Sequence, residues 1–216
     1  MKLRSLLLPF LPALIAASAF AAELTPKLGK KGDLLLEEKF DGKELPKNWN
    51  RNTGKLTVAD GVLKASEVAA DMHAAAFRRP LPLQDAIIFV KFRFEGAKMF
   101  HVGFDPAPGE LKKKGHLFSV IFTATGWNIT EHNDKADPQS TNKALAKATA
   151  SFEKGRWYEL LLEVKGDDVL AQINGMEPLR ATSKDFHVKK PGLVFRTGGK
   201  DTDELHLDEV RVWELK

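Results

Sequence analysis

Residues 155–164 read GRWYELLLEV, 167–175 DDVLAQING, 191–199 PGLVFRTGG and 204–215 ELHLDEVRVWEL. Each run is short, rich in branched or aromatic residues, and closed by Gly, Pro, Asp or Asn. Such side chains suit the pleated, half-buried surface of a sheet, and the closing residues supply turn conformations. The pattern predicts antiparallel strands joined by tight turns. Working back along the chain, the same signature recurs. Leu34–Phe40 ends at Asp41-Gly42, and Lys55–Val58 and Val62–Ala65 flank Asp60-Gly61, a type I′ hairpin signal. A strand near Met72–Arg79 precedes a Pro-Leu-Pro break. In Ala86–Glu95, Val90, Phe92 and Phe94 point one way and Lys91, Arg93 and Glu95 the other. Met99–Phe104, Leu117–Thr123 and Trp127–Glu131 continue the sheet. Residues 133–151 read as a long loop leading into a strand, although the alanines of 142–150 favour helix. About a dozen short strands without a long 3.6-residue period predict an all-β sandwich of two antiparallel sheets.

The final run carries a further detail. Leu205 and Leu207 share a phase that Val210 and Val212 leave. A one-residue slip would turn every later side chain to the wrong face, so a β-bulge at Asp208-Glu209 is expected to absorb it.

The opening residues address the compartment. Lys2 and Arg4 precede an apolar run from Leu6 to Ala17, and Ala19-Phe20-Ala21 fits a small-x-small cleavage site. Residues 1–21 therefore read as a secretory signal peptide and 22–33 as a polar lead-in, leaving 34–216 as one domain of an exported, periplasmic or extracellular protein. The apolar run is too short to span a bilayer, and Pro9 and Pro12 interrupt it. Loss of the leader lowers the net charge from +4 to +2, since it carries Lys2 and Arg4 and no acid. Lys112–Lys114 and Lys189-Lys190 are flanked by Gly or Pro and read as solvated loops, so no nucleic-acid partner is expected. The chain has no cysteine, so an exported fold must rest on its core.

The segments LLLEEKFDGKELPKNWN (34–50), GRWYELLLEVKGDDVLAQING (155–175) and LDEVRVWEL (207–215) resemble the terminal strands and shared hairpin of concanavalin A-like jelly rolls, among them family-16 glycoside hydrolases and laminin-G-like domains. The whole mature chain is similar to secreted bacterial sandwiches near the 3-keto-disaccharide hydrolase family. The resemblance implies paired termini and carbohydrate as the ligand class. It also implies a structural calcium where the termini meet, with Asp208 and Glu38 as its carboxylates; no cofactor is otherwise required. The Glu-x-Asp-x-x-Glu strand of retaining family-16 enzymes is absent; Glu131-His132-Asn133-Asp134 comes nearest, with the wrong spacing. The asparagine-serine-glycine motif of the keto-disaccharide hydrolases is absent too, as is Gly-x-Ser-x-Gly.

The expected ligand site is the concave face of one sheet, formed by Lys91, Arg93, His101, Asp105, Ser119, Trp127 and Glu131. Trp127 is the expected sugar platform, with Trp49 also open to that role, while Trp157 and Trp213 read as core. Recognition of carbohydrate or another extracellular ligand without catalysis is the leading reading. A glycoside hydrolase using Glu131, Asp105 and His101 for acid–base work is the alternative, and a scaffold without a small ligand is the third. His101, His116 and His132 fall on neighbouring strands, yet lack the close pairing of metal ligands. Glu204, His206 and Asp208 read as one polar strand face.

Overall fold

The computed structural model describes residues 24–216; the leader expected at 1–21 lies outside them. Fifteen strands appear among the described residues: β1 (Lys31–Glu38), β2 (Asn50–Thr53), β3 (Lys55–Ala59), β4 (Val62–Ser66), β5 (Ala75–Leu83), β6 (Ala86–Glu95), β7 (Met99–Phe104), β8 (Phe118–Thr123), β9 (Gly126–Glu131), β10 (Lys143–Thr149), β11 (Trp157–Lys165), β12 (Asp168–Ile173), β13 (Leu179–Thr182), β14 (Lys190–Gly198) and β15 (Glu204–Leu215). They form two sheets. The eight-stranded sheet runs β13-β12-β11-β6-β15-β4-β3, with β1 also on β15, and the seven-stranded sheet runs β10-β9-β8-β7-β14-β5-β2. Every strand-to-strand pairing is antiparallel. The fold is an all-β sandwich, as the turn-bounded runs predict.

Several local expectations hold in detail. Asp60 and Gly61 both take positive φ, +57° and +72°, as the hairpin between β3 and β4 requires. The register of β15 against β6 shifts between Leu207 and Glu209, so Asp208 is the bulged residue. The bulge lets Leu205, Leu207, Val210 and Val212 all reach the core. The segment before Ser151 yields strand β10, not helix. The terminal strands pair, Leu36 opposite Val212 and Glu38 opposite Val210. One expectation fails: β5 runs through Pro80 and Pro82, with a bulge against β14 near Gly192.

Inward phenylalanines fill the space between the sheets. Phe92 of β6 lies 5.0 Å from Phe100 and 4.9 Å from Phe122 across the sandwich, ring centre to ring centre. Phe195 stacks on Phe77 at 5.2 Å and on Trp49 at 5.5 Å. Trp127 stacks on Phe122 at 5.9 Å and is 2% exposed. The proposed sugar platform is thus a core residue. Its place beside the Thr125-Gly126 turn suggested exposure, but it shares the phase of buried Ile129. Trp49 is buried as well.

Trp157 and Trp213 reverse in the opposite sense. In β11, Tyr158, Leu160 and Leu162 face the main core, which leaves Trp157, Glu159 and Leu161 on the outer face. The strand reads apolar on both sides because the lead-in crosses that outer face. Glu163, fully buried, accepts backbone N–H bonds from Lys27 at 2.9 Å and Leu28 at 2.7 Å. Gln172 donates to Thr25 O at 2.9 Å, and Leu24 packs near Ile87, Phe89 and Leu161. Trp213 flanks that same small apolar cluster, under the Lys31 ammonium at 4.3 Å.

Lys190 departs from expectation as well. Its side chain is buried, not solvated, and its ammonium donates to the carbonyls of Gln84 at 3.0 Å, Phe186 at 2.8 Å and Val188 at 2.8 Å. Burial pushes its pKa down to about 8, against the opposing pull of Asp85 and Glu110. Three carbonyls that no strand satisfies converge on one cation and tie the 184–188 segment to the turn before β6. Lys190→Met would remove their shared donor, leaving Phe186 O with only the Val188 N–H at 2.9 Å, and we expect a loss of roughly 2–5 kcal/mol in urea unfolding. Trp127→Ala should cost about 3–5 kcal/mol and Trp157→Ala less than about 2 kcal/mol, read from the same curves.

Candidate functional site

The inward phase of the seven-stranded sheet fixes what its outer face presents. Phe100, Val102 and Phe104 of β7 point in, so His101 and Gly103 point out; on β8 the inward trio is Phe118, Val120 and Phe122, which turns Ser119 and Ile121 outward. On β14 the inward Leu193 and Phe195 leave Val194 and Arg196 outside. Antiparallel register then lines these residues up across strands. One row runs Arg78, Val194, Gly103, Ser119, Thr130; the next runs Ala76, Arg196, His101, Ile121, Asn128. Gly103 is needed where it stands, because a Cβ there would lie 2.2 Å from Ser119 Oγ.

The strand ends add three groups to the first row. Asp105 follows β7, His116 precedes β8 and His132 follows β9. His116 Nδ1 lies 2.5 Å from one carboxylate oxygen of Asp105, and Arg78 donates to the other at 3.0 Å. Arg78 also donates to Asn52 Oδ1 at 2.8 Å. Ser119 Oγ and His132 Nε2 are 2.8 Å apart, and the His116 and His132 rings meet edge to face at 5.5 Å. The outer face therefore carries a continuous polar array of Asp, His, Ser and Arg.

Burial dominates the electrostatics. It pushes His101 down to about 3, assisted by the nearby Arg196 charge, and His132 down to about 4, assisted by His116. Both rings are neutral at pH 7. Burial would raise Asp105, but hydrogen bonds and charge from His116 and Arg78 outweigh it and hold the carboxyl below its usual range. Two nitrogens in the second row have no partner despite being buried: His101 Nδ1 and Arg196 Nε. A cavity of about 270 Å³ opens beside Arg196, lined in part by Arg78 and His116 as well.

The structure brings together only part of the expected site. His101, Asp105 and Ser119 share this face. Glu131 sits at its margin, in the phase of Trp127 and Ile129, 3.5 Å from Lys113 Nζ and 3.4 Å from Ser183 Oγ. Lys91 and Arg93 belong to β6 and stand on the outer face of the other sheet. Both side chains lie over Trp157, with the Arg93 guanidinium 4.5 Å from its ring centre. Arg93 also contacts Glu95 at 2.8 Å and His206 at 3.0 Å, while Lys91 pairs with Asp208. A correct reading of alternation in one strand says nothing about which sheet that strand joins. Arg78, Arg196, His116 and His132 were absent from the expected set. The phase of LVFRTG, with Arg196 between Phe195 and Thr197, was the signal that could have found one of them.

Asp208 and Glu38, the carboxylates expected for calcium, each have a protein partner in the structure. Asp208 pairs with Lys91, and Glu38 accepts the Phe40 N–H at 2.9 Å. No cluster of three or more His, Asp or Glu suited to a metal occurs among the described residues. His206 lies between Glu204, at 2.8 Å, and Arg93, which accounts for the polar end of β15. No helix among the described residues is long and apolar enough to cross a membrane.

Neither a protein-family model nor a curated protein matches this sequence. Solved structures do match in shape. A laminarinase from Rhodothermus marinus superposes with a TM-score of 0.67 at 11% identity, over 88% of this chain and 100% of its own. A Bacillus subtilis protein of unknown function with a galectin-like fold gives 0.64 at 16% identity, over 86% and 98%. The carbohydrate-binding module CBM66 from Bacillus subtilis gives 0.52 at 10%, over 78% and 92%. At such identities the likeness is one of fold: this chain is a concanavalin A-like jelly-roll sandwich.

Proposed function

We propose that the protein is an exported carbohydrate-recognition domain that holds its ligand on the outer face of the seven-stranded sheet. The observation that carries this reading is the polar array there, ending in two buried nitrogens without partners. Buried donors and acceptors are nearly always satisfied, and a ligand rich in hydroxyl groups would satisfy these. An endo-beta-1,3(4)-glucanase, a laminarinase and a carbohydrate-binding module, so named, share this shape, which supports the ligand class. The leader-like residues 1–21 support export.

The chemistry favours recognition over turnover. Glycoside hydrolysis calls on a pair of carboxyl groups, one of them protonated as the acid. Asp105 is kept ionised by two cationic or hydrogen-bonding neighbours, and Glu131 is turned toward Lys113. Ser119 and His132 resemble a nucleophile and its base, but an imidazole pushed to about 4 is a poor proton acceptor at neutral pH. The pair serves better as a fixed hydrogen-bonding unit.

A glycan array probed with the protein should identify at least one bound oligosaccharide. Ser119→Ala and Asp105→Asn should each weaken its capture by about 1–3 kcal/mol. Trp157→Ala, on the opposite face, should leave capture unchanged. Release of reducing ends from the bound sugar, abolished by Glu131→Gln, would replace recognition with hydrolysis.

The same histidines set a pH dependence. Their folded pKa values, about 3 and about 4, lie below the ordinary 6.5, so the unfolded chain binds protons first as the pH drops. The stability they contribute is complete above pH 6.5 and is lost as the pH falls toward 4 and then 3. Denaturant unfolding should show a loss on the order of a few kcal/mol across that window. His101→Gln should flatten the slope.

A further inference from the structure

The cavity beside the histidines has an unbalanced lining. Arg78, Arg196, Lys135, His73 and His116 surround it, together with neutral residues, and it contains no aspartate or glutamate. The carboxylate nearest in the network, Asp105, is already shared between Arg78 and His116. Arg196 and Lys135 have no carboxylate partner among the described residues, and Arg196 Nε is buried without any acceptor. A guanidinium left in that state costs free energy until an oxygen reaches it, and its planar fork suits the paired oxygens of a carboxylate or sulfate.

The face also lacks the usual means of holding an uncharged sugar. Trp49 and Trp127 are buried, while Trp157 and Trp213 belong to strands of the other sheet. With no indole to stack on, affinity must come from hydrogen bonds and charge. We infer that the ligand is an acidic glycan, a sugar chain bearing carboxylate or sulfate groups, and that Arg196 and Lys135 receive one of those groups beside the array of Ser119, His101 and His132. This rests on the carbohydrate reading above and adds the charge of the sugar.

Titration calorimetry with the protein tests it, using an oligogalacturonate, a sulfated oligosaccharide, a neutral β-1,3-gluco-oligosaccharide of equal length, and sodium sulfate. At least one acidic oligosaccharide should bind about tenfold or more tighter than the neutral one, with an advantage that shrinks as salt is raised. Arg196→Gln should erase that advantage, and Arg196→Lys should retain part of it. Should Arg196→Gln fail to fold, Lys135→Gln at the exposed rim should still lower acidic-glycan affinity several-fold. Equal binding of acidic and neutral sugars would overturn the inference while leaving carbohydrate recognition intact. Binding of sulfate alone, or of none of the four, would overturn both.

Discussion

The contact of Phe92 with Phe100 and Phe122 is the interaction on which the rest depends. It joins β6 of one sheet to β7 and β8 of the other, and further rings extend it to Phe94, Phe152 and Tyr158. The chain has no cysteine to cross-link its layers. Sheet-on-sheet attachment is therefore a matter of apolar burial, worth roughly 1.5–3 kcal/mol for each fully buried large side chain. Because His101 alternates with Phe100 and Val102, and Ser119 with Phe118 and Val120, that packing also sets the direction of the site residues. Rigid inward rings make a rigid outward array.

The fold was legible because strand alternation, turn residues and the slip in β15 are local signals. Asp60-Gly61 and the Asp208 bulge were readable to the residue. The site was only half legible because it depends on which strands become neighbours. Lys91 and Arg93 alternate as cleanly as His101, yet β6 and β7, adjacent in sequence, belong to different sheets. Trp127 and Trp157 exchanged roles for a related reason. Each tryptophan sits in a strand, and which side of that strand faces the core is decided by how distant strands come together. On the outer face of β11 and β12, Leu161, Glu163 and Gln172 are covered by the lead-in, which composition alone marks as merely polar.

Lys190 and Glu163 show how the sandwich handles charges that the sequence presents as surface. Each is buried, and each gathers backbone groups that no ladder satisfies: carbonyls around the ammonium, amides around the carboxylate. They act as anchors for irregular chain at opposite ends of the electrostatic scale. The polar array on the seven-stranded sheet is different in kind. There, His101 and Arg196 hold buried nitrogens without partners side by side in one cross-strand row, next to an open cavity that an external acceptor can enter.

The strap of residues 24–30 bears on how the chain reaches this structure. Lys27 bonds to Glu163 across 136 residues, and Lys30 exchanges backbone bonds with Lys216. β15, inside the eight-stranded sheet, follows β6, β4 and β1 in the chain by more than a hundred residues, and these three strands lack their shared neighbour until it joins them. Non-local pairing of this sort closes large loops before any contact repays the entropy, and it slows folding. The strap has nothing to bind until β11, β12 and the end of β15 stand in place, so it closes the sandwich and does not start it.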